Sequence, residues 1–124
     1  NYYNEKRVWG EFFNLFKDEK VKVKELIIGP GKGISYQRHF KRDEVWFISK
    51  GICDLKYSRK DPDDYEMITL KSNDLFQVKR NEWHQVINKQ NESCHIIEIQ
   101  YGEETNENDI ERLSFYENNE KNND

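Results

Sequence analysis

The sequence predicts an all-β domain, a sandwich or barrel of antiparallel strands, and three observations carry that reading. Short runs rich in β-branched and aromatic residues recur with turn signals about every eight to twelve residues. No helical pattern alternates with them, which argues against a parallel sheet built from strand–helix–strand units. The chain of 124 residues has the size of one domain, and an aromatic content of 14% makes up much of the buried area that a hydrophobic fraction of 35% leaves short.

Taken in order, residues 1–7 are polar and expected to be loose. Residues 8–16 are aromatic-rich and read as a strand bent at Gly10. A turn at Asp18, Glu19 and Lys20 leads into a strand over 21–28, which Gly29, Pro30 and Gly31 end because proline cannot donate to a ladder. Lys22, Lys24 and Lys56 are expected on a solvated sheet face. Strands follow over 52–57, 65–70, 75–78, 83–87 and 94–101, with a proline-marked loop over 59–64 and turns at 71–74 and 80–82. Trp46, Phe47 and Trp83 are expected in the core, and His95 is expected to be structural. Beyond Gly102 the sequence allows one short helix, over 108–113, opened by an Asn or Asp cap. The domain is therefore placed at 1–116, and 117–124, rich in Asn and Glu, is expected to be a disordered polar tail.

Charge narrows the function classes. Lys and Arg number 20 against 24 Asp and Glu, a net charge of −4, so nothing draws the chain to nucleic acid, although local basic residues could serve an anionic small molecule. No apolar run approaches the roughly 20 residues of a membrane-spanning helix, and no signal-peptide pattern opens the sequence. Cys53 and Cys94 lie in apolar strand contexts and are expected as buried free thiols in a reducing cytoplasm.

The chemistry gathers in residues 33–51. Read as strand, residues 35–39 put Gln37 and His39 on one face. Lys41, Arg42 and Asp43 supply a turn, and a second strand opens with Glu44, sharing its face with Trp46 and Ile48. A hairpin this short is expected to set His39 beside Glu44 across a ladder. Gln37, His39 and Glu44 then offer two neutral donors and a carboxylate, a set suited to a divalent metal, and His84 is the fourth candidate ligand.

This spacing, Gly33, His39, Glu44 and Gly51, resembles the first signature of the cupin superfamily, although Lys41 stands where that signature has its second His. Ser35, Gln37, His39, Arg42, Glu44 and Trp46 resemble the form found in the cupin domain of type II phosphomannose isomerases. Asn73, Lys79, Asn81, His84 and Asn88 keep the spacing of the second cupin signature, with Asn at both glycine positions. Asn is the non-glycine residue that best tolerates the left-handed backbone those positions require. Arg7 to Gly10, residues 97–102 and the Asp109–Arg112 stretch with Tyr116 extend the resemblance over most of the chain.

The resemblance implies a double-stranded β-helix, or jelly-roll barrel, with a divalent ion, Zn²⁺ first and Mn²⁺, Fe²⁺, Co²⁺ or Ni²⁺ as alternatives. It implies a metal-dependent aldose–ketose isomerase converting mannose 6-phosphate to fructose 6-phosphate, working as a homodimer on a small sugar phosphate without nucleic acid or membrane. Lys41 or Glu98 would be the base, Glu98 alternatively an ion-pair member; Arg42 and Arg112 would hold the phosphate or serve as surface charge. The other expectations are a metal-binding cupin acting on another sugar or sugar nucleotide, as epimerase or oxygenase, and a non-catalytic carbohydrate-binding cupin. The nucleotidyltransferase domain that often precedes such a cupin is not seen in the sequence, so guanylyl transfer is not expected of it.

Overall fold

Alternation of apolar with polar residues builds two sheets that face each other across one core. The computed structural model describes residues 4–116. The strands are β1 (Asn4–Arg7), β2 (Gly10–Lys17), β3 (Val21–Ile28), β4 (Tyr36–Arg38), β5 (Arg42–Lys50) and β6 (Ile52–Ser58). They continue as β7 (Glu66–Lys71), β8 (Leu75–Val78), β9 (Trp83–Ile87), β10 (Cys94–Gly102) and β11 (Glu111–Ser114). The larger sheet has the order β1-β2-β3-β10-β5-β8 and the smaller β11-β4-β9-β6-β7, with every pairing antiparallel. This is the all-β cupin jelly roll, and among the described residues no helix is long and apolar enough to cross a membrane.

Three sequence expectations change. First, β4 and β5 do not form a hairpin: β4 pairs with β9 and β11, while β5 pairs with β10 and β8 in the other sheet. Residues 39–41 therefore form a corner between sheets. Second, the aromatic run over 8–16 is not a single strand. Val8 and Trp9 turn the chain between β1 and β2, so residues 4–7 are paired rather than loose. Gly10 has φ of 149°, and a Cβ there would collide with the carbonyl oxygen of Ile27, which only glycine avoids.

Third, the expected helix over 108–113 is absent. Residues 111–114 pair with β4, and Arg38 Nη2 meets Glu111 Oε1 at 2.8 Å. A six-residue helix is too short to offset its nucleation cost, whereas the open edge of β4 supplies partners at once. The tail over 117–124 lies outside the described residues.

Register positions the site. On the inner face of the larger sheet, Leu26, Ile96 and Ile48 form one cross-strand row, apolar throughout. The next inward rows toward the barrel mouth are Lys24–Glu98–Trp46 and Lys22–Gln100–Glu44. One end of the barrel is thus filled by core and the other is polar. The core itself includes Trp9, Phe12, Ile28, Trp46, Leu55 and Val86, and the free thiols of Cys53 and Cys94 are buried in it.

Candidate metal centre and its cavity

His39, Glu44 and His84 meet at the polar end of the barrel, all three buried, with one potential ligand atom from each within 4.8 Å of the others. They come from three places: the corner after β4, the inner face of β5 and the start of β9. Gln37 reaches the same cavity because it pairs in register with His84. Ser35 Oγ, at 2.9 Å, accepts from its amide nitrogen, which leaves the amide oxygen to serve a cation.

The backbone orients both imidazoles. His39 Nδ1 donates to the carbonyl of Asp109 at 2.7 Å, and His84 Nδ1 donates to that of Glu82 at 3.0 Å. Each ring therefore turns Nε2 toward Glu44, at 3.4 Å for His39 and 3.8 Å for His84. Burial, only partly offset by Glu44, lowers the His39 pKa to about 4, and burial lowers His84 as well, so both rings are neutral at pH 7 and carry their lone pair on Nε2. Burial alone would raise the Glu44 carboxyl, but His39, Arg42 and His84 outweigh it and hold the pKa well below the usual range. Two imidazole lone pairs facing one carboxylate, with their far nitrogens fixed by carbonyls, fit a divalent cation.

Arg42 supplies positive charge at the same atoms. Its Nε donates to Glu44 Oε2 at 2.9 Å and its Nη2 to His39 Nε2 at 3.2 Å, while Nη1 is buried with no hydrogen-bond partner. Glu44 Oε1 also accepts from Trp46 Nε1 at 3.1 Å, so the buried Trp46 is core and site wall together. Glu98 lies beside Glu44. Burial and the charge of Glu44 raise its pKa to about 8, so it keeps its proton at neutral pH, and Gln100 Nε2 donates to its Oε1 at 2.7 Å.

The cavity in front of these residues measures about 780 Å³, and its lining holds seven Lys and Arg against four Glu in a protein whose net charge is −4. Arg112, exposed on β11, lines its mouth. Lys22 and Lys24, expected in solvent, are buried in its wall with both ammonium groups on Glu107. Lys56 keeps to the outer face of β6, out of phase with the buried Cys53, Leu55 and Tyr57, and is half-buried with its ammonium 4.3 Å from the ring centroids of both Tyr36 and Tyr65. Lys41 departs from its expected role as base. It sits on the corner, half exposed, 3.6 Å from Glu104 Oε1, and does not line the cavity.

Lys22, Lys24 and Glu107 are what sequence reasoning missed. A signal was present for the lysines, which share the period-two phase of Leu26 and Ile28. None existed for Glu107, which lies 85 residues from Lys22.

Comparison with known proteins agrees with this architecture. The sequence model for the C-terminal domain of mannose-6-phosphate isomerase matches residues 1–115. A mannose-1-phosphate guanylyltransferase of Sinorhizobium fredii is 26% identical over 108 residues, covering 87% of this chain and 20% of the relative. That of Salmonella montevideo is 29% identical over 108 residues, covering 87% and 22%. The chain thus spans about a fifth of the length of the relatives it matches. The capsular polysaccharide assembling protein CapF of Staphylococcus aureus superimposes with a TM-score of 0.78 at 14% identity, covering 92% of this chain and 34% of that one. Oxalate decarboxylase of Bacillus subtilis gives 0.76 at 14%, covering 91% and 30%; both show the fold alone. The relatives' names correct one expectation: they are guanylyltransferases, not isomerases, and the aldose–ketose isomerase reading is set aside.

Proposed function

This chain belongs to the mannose-6-phosphate isomerase C-terminal family, and on that premise we propose that it is a divalent-metal-binding cupin acting on a sugar nucleotide or a related phosphorylated sugar. The observation that supports this most is the pairing of a buried His39–Glu44–His84 cluster with a cavity rich in cations. The neutral imidazoles and the carboxylate would hold the ion, with the Gln37 oxygen as a fourth donor. Bound there, a divalent ion supplies Lewis-acid polarisation and a fixed point for sugar oxygens. The chain's own groups do the rest: cationic walls favour a phosphorylated ligand, and Glu98 carries a proton beside the cluster at neutral pH, as a general acid requires.

Sugar-nucleotide chemistry accords with the names of the relatives, whose guanylyl transfer belongs to proteins about four times as long. The test is calorimetry on protein stripped of metal and reloaded with Mn²⁺ or Zn²⁺. Metal should be retained through desalting, and GDP-mannose and mannose 1-phosphate should each bind more tightly than mannose. Failure to retain any divalent metal, or equal binding of all three ligands, would overturn the reading.

A further inference from the structure

Lys22 and Lys24 stand on the inner face of β3 with side chains only 9% and 7% exposed. Their ammonium groups converge on one atom: Glu107 Oε2 lies 2.8 Å from Lys22 Nζ and 3.1 Å from Lys24 Nζ. A buried ammonium must be paired to offset its desolvation. Here two meet a single carboxylate oxygen, so the acceptor carries one negative charge against two positive ones. The other carboxyl nearby, Glu98, pairs in register with Lys24 but has Oε1 engaged by Gln100. Arg42, close enough for its charge to interact with that of Glu107, is paired with Glu44 through Nε but keeps an Nη1 with no hydrogen-bond partner. This wall is built for more negative charge than Glu107 brings.

Glu107 is also the member best placed to leave. Its side chain is 58% exposed, and it rides on the connection between β10 and β11. That connection is pinned at both ends. Glu103 N donates to the Lys41 carbonyl at 2.9 Å, and the Asp109 carboxylate accepts from the amides of Phe40 and Lys41 at 2.9 Å each. Between the pins the chain crosses the cavity with Glu107 pointing in.

We propose that Lys22 and Lys24 form a phosphoryl-binding subsite, held in the resting protein by the Glu107 carboxylate and taken over by a phosphate or diphosphate group of the incoming ligand. A phosphoryl group presents more oxygens and up to twice the charge of a carboxylate, so it meets both ammoniums at once where Glu107 shares one atom between them. This rests on the reading of the cavity as a site for phosphorylated or nucleotide-linked sugars, and it says where the phosphoryl group goes.

The test titrates pyrophosphate into metal-stripped protein, so that no bound ion contributes, and compares wild type with Glu107→Gln and Lys24→Met. Glu107→Gln should bind pyrophosphate about tenfold more tightly, because the competing anion is gone, and Lys24→Met about tenfold more weakly. Should Lys24→Met fail to fold, Lys22→Met carries the same expectation, and Glu107→Gln keeps an amide oxygen for the two lysines on a side chain that is 58% exposed. Equal affinity in wild type and Glu107→Gln, or binding indifferent to loss of either lysine, overturns the proposal. GDP-mannose and the reloaded metal separate the two readings. If pyrophosphate follows the expected pattern and GDP-mannose does not bind, the subsite stands and the sugar-nucleotide reading falls. If GDP-mannose binds with an affinity indifferent to Glu107 and Lys24, the subsite falls and that reading stands.

Discussion

His39 and His84 present Nε2 to Glu44 because backbone carbonyls of Asp109 and Glu82 hold their other nitrogens. Loss of either ring removes a ligand outright, which should cost more than the roughly 10- to 100-fold typical of losing an outer hydrogen bond. His39→Ala and His84→Ala should therefore each emerge from desalting with little metal by elemental analysis; full occupancy in both would sink the assignment. Arg42 makes a less obvious prediction. Its guanidinium already engages Glu44 Oε2 and His39 Nε2, so a cation must compete with it for the same atoms and against its charge. Releasing one charge-assisted bond is worth about 1.5–3 kcal/mol, so Arg42→Gln should tighten divalent-metal binding by about tenfold or more in a competition assay with a chelator. Weaker binding in that variant would show that Arg42 positions Glu44 rather than rivals the metal.

Two elements set the edges of the site. The β1–β2 hairpin closes one side of the cavity, and its geometry depends on Gly10, where a side chain would strike the Ile27 carbonyl. Gly10→Ala should destabilise the fold by roughly 1–3 kcal/mol or more, read as a lowered denaturation midpoint with an unchanged m-value. An unaltered midpoint would mean the hairpin is free to shift. The β10–β11 connection carries Glu107, whose pKa burial alone would raise but which Lys24 and Lys22 draw down to about 2 from 4.5. A carboxyl with a depressed folded pKa adds stability above its unfolded value, and that contribution is lost as pH falls through the folded one. Wild type should lose stability between about pH 4.5 and 2, and Glu107→Gln should lose less over that window in acid-unfolding curves. Identical curves would mean that the exposed carboxylate is too well screened to contribute.

At the scale of the molecule, the candidate ligands join the two sheets. Glu44 belongs to the larger sheet and His84 to the smaller, with His39 at the corner between them. A cation held by all three ties the sheets together in the folded state only. Metal at a hundredfold excess over its Kd should add about 2.7 kcal/mol of stability, several degrees in Tm, and His84→Ala should abolish the shift. A Tm indifferent to metal in the wild-type protein would argue against binding at this site.

The sequence by itself determined the period-two patterning that makes β3, β5 and β10, and hence the all-β class. It also determined the spacing of His39, Glu44 and His84, and two tight turns. Asn73 and Asn81, which stand at glycine positions of the signature, have φ of 78° and 70°. These are local properties, set by alternation and by backbone sterics within a few residues. The tertiary structure decided the rest. Whether β4 pairs with β5 depends on which distant strands compete for its edges, and β9 and β11 won them. Whether residues 108–113 form a helix turned on the same open edge. Lys22 and Lys24 carry the charge of a surface but the phase of a core, and Glu107, brought back from the far end of the chain, pairs both, while the Phe12 ring also faces the Lys24 ammonium. Lys41 sits beside the ligands in sequence yet points away, because the corner it occupies turns the chain from one sheet to the other. Proximity along the chain found the ligands; non-local pairing chose which charges share the cavity with them.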